Sequence, residues 1–190
     1  MQYQISAGAM PGGPLLGGDE ALLRLRETAD RLNERYGDSL SEPLRQFGSK
    51  LVLVGVTNQG HMTPWIALDF LLEIWPLPCG VSVDSWLTRS EKTLHPSSSL
   101  ATLARRKERI YLRGPHGEEP YRAATLLWDA ILSDWSARQV RTLRLHRELG
   151  KQKLVAENMG VTPQSVSETL GRAHWPRLKK SLNVLGKLMA

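Results

Sequence analysis

Residues 136–175 read SARQVRTLRLHRELGKQKLVAENMGVTPQSVSETLGRAHW, and three helices with a tight turn are legible in them. Ser136 followed three positions later by Gln139 is a capping box, so a helix starts there, buries Val140, Leu143 and Leu149, and stops at Gly150. Gln152 to Met159 forms a second, short helix carrying Leu154, Val155, Ala156 and Met159. Gly160-Val161 makes the turn, and Thr162-Pro163 caps and opens a third helix that runs through Val166 and Leu170 to about His174. Ala156 is small where two helices cross closely, Gly160 permits a left-handed turn, and Val161, Val166 and Leu170 anchor the third helix on the first two.

That pattern predicts a helix-turn-helix with one face of the third helix left free. Thr162 starts this helix, and Gln164, Ser165, Ser167 and Glu168, with Arg172 one turn later, point outward as groups able to bond base edges. Lys151, Gln152 and Lys153 open the second helix, where such a motif meets the phosphate backbone. Arg138, Arg141, His174, Arg177, Lys179 and Lys180 are further phosphate candidates. Charge agrees with this reading: residues 136–190 hold eleven Lys or Arg against three acids, whereas residues 1–135 hold fourteen against sixteen. A net charge of +6 that resides wholly in one segment suggests a polyanion-binding unit beside a neutral one. After Trp175-Pro176, the spacing of Leu178, Leu182, Leu185 and Leu188 describes a last amphipathic helix whose apolar face is either core or a dimer contact.

Moving toward the N-terminus, Tyr121 to Trp135 reads as a linking helix with Leu126, Leu127, Ala130 and Ile131. The first 120 residues alternate strands and helices: a strand at Tyr3 to Gly8, a helix from Asp19 to about Tyr36, and a strand from Lys50 to Val56. Asn58-Gln59-Gly60 suggests a hairpin with a partner strand near His61. Thr63-Pro64 then opens a helix to Trp75, followed by a strand at Cys79 to Asp84, a basic helix at Ser97 to Arg109, and a strand at Arg109 to Arg113. The Gly/Pro-rich stretch Gly8 to Gly18 is a plain loop or a phosphate cradle; Pro11 and Pro14 remove amide donors and no Gly-Lys-Ser/Thr ending follows. Trp86, Trp175 and the run Arg105-Arg106-Lys107 with Arg109 are candidates for extending a nucleic-acid surface.

The run Trp135 to Gln139, with Ala156, Gly160-Val161, Ser165-Val166-Ser167, Leu170 and Arg172 to Trp175, resembles the SatD family. Its members join a nucleotide-cyclase-like N-terminal domain to a C-terminal helix-turn-helix. The same helices are also similar to sigma-factor region-four and LuxR-type DNA-binding units. The resemblance implies a glycine-aspartate after the first strand and a G-D-E-F-Q-G hairpin later. Gly8-Ala9 and Gly55-Val56-Thr57-Asn58-Gln59-Gly60 stand at those places with the acids replaced, and Gly80-Val81-Ser82-Val83 is similar to a later strand. Carboxylates at such positions would hold the cations of phosphoryl chemistry, so the resemblance implies a domain without catalysis.

The expectation is therefore an α+β chain: residues 1–120 a degenerate cyclase/ferredoxin-like sheet domain, 121–135 a linking helix, and 136–190 an all-α helix-turn-helix domain. It is expected to act as a transcriptional regulator that binds double-stranded DNA, with the sheet domain serving for dimerisation or sensing. No catalytic residue, metal ligand or cofactor is expected. Cys79 stands alone, and His61, His95, His116, His146 and His174 have no ligand spacing. A nucleotide effector stays open, as do two rivals: a nucleotide-processing enzyme in which Asp69, Asp84 and Glu73 converge, and an adaptor for an acidic protein. With no apolar run of about 18 residues and no leader pattern, a cytoplasmic protein is expected and a membrane partner is not.

Overall fold

The computed structural model describes residues 1–10, 18–48, 51–86 and 95–190. The Pro11 and Pro14 loop, Lys50 and the side chain of Trp86 lie outside the described residues. The chain is α+β, with a five-stranded mixed sheet and helices followed by a helical C-terminal region.

Five strands, β1 (Gln2–Ala9), β2 (Leu40–Gln46), β3 (Val52–Thr57), β4 (Cys79–Trp86) and β5 (Ile110–Arg113), form one sheet in the order β2-β3-β1-β4-β5. The helices α1 (Gly18–Tyr36) and α2 (Thr63–Ile74) connect β1 to β2 and β3 to β4. Strand β1 is antiparallel to both β3 and β4, β2 is antiparallel to β3, and β5 adds parallel to β4. The first four strands thus make two interleaved βαβ units, the ferredoxin-like arrangement. Period-two alternation sends Tyr3, Ile5 and Ala7 of β1, with Val81 and Val83 of β4, into the main core. The opposite face is covered by α3 (Pro96–Arg106), whose Leu100 and Leu103 meet Val52.

Three expectations are corrected. No strand forms near His61; Gly60–Met62 is a 3-10 turn that leads into α2. The hairpin joins β2 to β3 instead, where the amide of Phe47 donates to the carbonyl of Val52 at 2.8 Å. The acid positions drawn from the family resemblance also part company, because Tyr3 pairs with Thr57 and Gly8 with Val52, so Ala9 and Val56-Thr57 stand at opposite ends of the β1/β3 ladder.

Helix α2 is apolar on nearly every side because it is covered on every side. It packs on the sheet and α1, and its remaining surface receives the C-terminal helices α5 (Ala137–Leu149) and α8 (Trp175–Leu188). Leu178, Leu182 and Leu185 of α8 are buried, so their face is core. One contiguous hydrophobic cluster runs from Tyr3 to Met189. The closure is tight: Tyr3 Oη donates to the Met189 carbonyl, and a Cβ on Gly186 would lie 2.6 Å from the carbonyl oxygen of His61.

Two acids interrupt the apolar helix, Asp69 and, one turn on, Glu73. Asp69 is fully buried and accepts from Tyr36 Oη at 2.6 Å, Arg35 Nη1 at 3.0 Å, and Arg147 Nε and Nη2 at 2.9 and 3.0 Å. Glu73 Oε2 accepts from Arg31 Nη1 at 2.9 Å and Arg144 Nη2 at 2.7 Å. Burial works against the charge of Arg147, but the hydrogen bonds and charges of Asp69 and Tyr36 together outweigh it and raise its pKa; burial and the Asp69 charge together raise Tyr36. The Arg147 guanidinium also lies over the Trp65 ring at 4.4 Å.

Replacing Arg147 by Met leaves a buried carboxylate without its bidentate donor, and urea unfolding should show a loss of about 3–5 kcal/mol. Beside it, His146 has its pKa lowered from 6.5 by burial and by the charges of Lys179 and Arg147. The unfolded chain therefore binds this proton more readily, and stability falls as pH drops below 6.5. Melting curves at pH 7.5 and 5.5 should show a smaller acid loss in His146→Gln than in the wild type.

Candidate nucleic-acid interface

Helix α4 (Glu119–Ser133) ends just before Ser136, whose hydroxyl accepts from the Gln139 amide at 3.3 Å while Gln139 Oε1 accepts from the Ser136 amide at 2.8 Å. The capping box starts α5 as its residue types require. Gly150 ends α5 and Gly160 ends α6 (Gln152–Met159), both in the left-handed region, at φ 72° and 66°. Next to Gly160, the Val161 amide donates to the Ala156 carbonyl at 3.0 Å. Thr162 caps α7 (Pro163–Arg172), its hydroxyl accepting from the Ser165 amide at 3.1 Å. Val155, Ala156, Val166 and Leu170 are buried between the helices. The far end of α7 is pinned by Trp135 Nε1, which donates to the Ala173 carbonyl at 3.3 Å.

Packing Val166, Thr169 and Leu170 inward leaves Gln164, Ser167, Glu168 and Arg172 of α7 exposed, with Ser165 half-buried. Arg138, from the first turn of α5, donates to Ser165 Oγ at 2.7 Å, and Gln164 Nε2 donates to Glu168 Oε1 at 3.1 Å. Arg138, Ser165, Glu168 and Arg172 therefore share one polar depression with Ser136 and Gln139, of about 240 Å³. Arg141 is exposed one turn along α5. His174, held at φ 56°, and Arg177 line a second shallow depression at the α7/α8 corner.

Lys151, Gln152 and Lys153 are exposed at the start of α6, as are Thr162 at the α7 cap and Lys179 and Lys180 on α8. No hydrogen bond among the described residues joins Lys151–Lys153 or Lys179-Lys180 to the cluster around Arg138. Three other candidates have different duties. Trp175 is buried against Trp65 and His146. Arg106 is ion-paired with Glu118, and Arg109 with Asp129 at 2.8 Å. Arg144 and Arg147 belong to the α2 seam, so two of the eleven C-terminal cations are engaged inside the molecule.

The acids named for an alternative enzyme centre do not converge. Asp69 and Glu73 lie on α2, held by arginines, and Asp84 lies on the other face of the sheet, paired in register with Gln4. Among the described residues no three His, Cys, Asp or Glu side chains group as metal ligands. Burial pushes the Cys79 thiol up to about 12, which suits a small core side chain rather than a nucleophile. No helix among the described residues is long and apolar enough to cross a membrane.

No family model matches the chain, and no curated protein does. Among solved structures, a regulator of polyketide synthase expression from Bifidobacterium adolescentis is similar at 15% sequence identity, covering 99% of this chain and 82% of that one, with a TM-score of 0.28.

Alanine at Gly160 would be forced into a left-handed conformation that costs about 1 kcal/mol or more. Gly160→Ala should lower the urea midpoint accordingly, whereas Lys153→Ala, on an exposed side chain, should leave it within about 0.5 kcal/mol of wild type.

Proposed function

We propose that residues 136–190 are a helix-turn-helix unit that binds double-stranded DNA, and that the chain is a transcriptional regulator acting in the cytoplasm. The observation that carries the reading is the exposed face of the N-terminal half of α7, formed by Gln164, Ser167 and Glu168 and flanked by Arg138 and Arg172. Gln164 and Ser167 are suited to base edges in the major groove, and the Glu168 carboxylate to a cytosine amino group. Arg138, Arg141, Lys151, Gln152, Lys153, His174, Arg177, Lys179 and Lys180 are read as backbone contacts, with Thr162 and Ser165 at the helix start. Fixed on α2 by the Asp69 and Glu73 pairs, the unit would present α7 at a set angle to the sheet.

In this reading residues 1–120 are a SatD-like sheet domain without catalysis and 121–135 join it to the DNA-binding unit. Ferredoxin-like topology supports the architecture. A homodimer would place two copies of α7 one DNA turn apart.

Mobility shift on a randomised DNA pool, followed by sequencing of the retained fraction, tests the assignment. Gln164→Ala should relax the selected sequence, each lost base contact costing about 1–3 kcal/mol. Lys153→Ala should weaken binding to all sequences alike and reduce the salt slope by about 1. Unchanged binding by Gln164→Ala, Lys153→Ala and Arg172→Ala together would remove this surface from consideration.

A further inference from the structure

The face of the sheet turned away from α1 and α2 carries a polar corner that DNA binding does not use. Register sets Gln4 beside Asp84 and Ser6 beside Ser82, while the parallel pairing sets Arg113 beside Asp84 and Tyr111 beside Ser82. Paired positions point to the same face, so these side chains form two adjoining rows. Gln4, Ser6, Ser82 and Asp84 are all buried, Asp84 to 7% exposure. Within the rows Gln4 Nε2 donates to Ser6 Oγ at 3.0 Å, and Ser82 Oγ donates to Asp84 Oδ2 at 2.8 Å.

Asp84 Oδ1 is buried and has no partner. A buried carboxylate oxygen without a donor is uncommon, since roughly nine in ten or more buried polar groups are partnered; Ser99 Oγ and His146 Nδ1 are also unpartnered among the described residues, but neither carries a carboxylate's charge. One strand away, the exposed Arg113 takes part in none of the ion pairs among the described residues. Burial raises the Asp84 carboxyl above its ordinary range, opposed by the Ser82 hydrogen bond and by the charge of Arg113, which favour ionisation.

We propose that this corner binds a small zwitterion of the α-amino-acid type, its ammonium donating to Asp84 Oδ1 and its carboxylate accepting from Arg113. Paired positions on adjoining strands bring a carboxylate and a guanidinium to the same face, which suits a small ligand that carries both charges. A simple amine would make no use of Arg113, and a simple anion would leave Oδ1 unsatisfied. A metal ion is poorly served here: the one acid whose charge reaches Asp84, Glu118, is held by Arg106, Arg122 and Tyr111, and no three His, Cys, Asp or Glu side chains group as ligands among the described residues. Since Oδ1 is covered, the ligand enters by local opening at the β5 edge, where Arg113 is exposed. The proposal rests on the sheet alone and is independent of what α7 binds.

The full chain is screened by thermal shift against the twenty standard amino acids, with methylammonium and acetate as half-ligands at equal concentration. Hits are then titrated by calorimetry. At least one amino acid should raise the melting temperature while neither half-ligand does, and Asp84→Asn and Arg113→Gln should each weaken its binding at least tenfold. Without ligand, Asp84→Asn should melt no lower than wild type, because it relieves the burial of a charge while its amide oxygen can still accept from Ser82 Oγ. The proposal is overturned if no amino acid binds, which would leave a bound water only at Oδ1. It is equally overturned if methylammonium binds as tightly as the amino acid, if either variant binds like the wild type, or if Asp84→Asn melts lower. DNA affinity measured in parallel separates this outcome from the fate of the DNA-binding reading.

Discussion

A fully buried carboxylate is tolerable only when donors surround it, and Asp69 is the point on which the two halves of this chain agree. Its four hydrogen bonds come from α1 and from α5, so the acid of α2 ties the covering helix of the sheet to the first helix of the C-terminal unit. Ionic partners with this little solvent contribute less to net stability than to fixing one arrangement, since any shift of α5 would strand a charge. Around the pair, Arg147 stacks on Trp65, Trp65 meets Trp175 edge-on, and Trp175 meets His146. The ordered shell therefore extends to the residue that opens α8.

Helix α5 has work at both ends. Arg147 in its last turn is locked into α2, and Arg138 in its first turn donates to Ser165 of α7. They stand nine positions apart on the helix, about 13.5 Å. A rigid rod of that length passes any tilt imposed at the α2 seam to the exposed polar face of α7. This is the geometry by which a sheet unit that senses something would influence a proposed DNA-reading helix, with no hinge required between them.

What sequence could reveal follows from how local the cause is. The boundaries of α5, α6 and α7 are set by Ser136, Gln139, Gly150, Gly160 and Thr162, each acting within four residues of itself, and they were legible. Strand β2 was not, because it is an edge strand with register shifts, Pro43 inside it, and Leu44 as its one buried side chain; such a segment shows no alternation. Asn58-Gln59-Gly60 has turn composition, but composition does not distinguish a hairpin from a 3-10 entry into a helix, and both partners of β3, β2 and β1, precede it in the chain. In the DNA-binding set, exposure of the α7 residues followed from the helical period. The withdrawal of Trp175 and Arg106 did not, since their partners lie far off in the chain. On sequence alone Asp69 and Glu73 stand only as acids of a rival enzyme centre; the arginine that answers Asp69 stands 78 residues away, and nothing local names it.

The bond from Tyr3 to the carbonyl of Met189 joins residues 186 apart in sequence. Strand β1 also lies between β3 and β4, neither of which it adjoins along the chain. Assembly is consequently a problem of search. No neighbouring pair of strands can nucleate the centre of the sheet, and loop closure must be met before its contacts give anything back. The chain is expected to fold slowly for its size, with α5 to α7 forming early from nearby contacts and the β1-centred sheet arriving late.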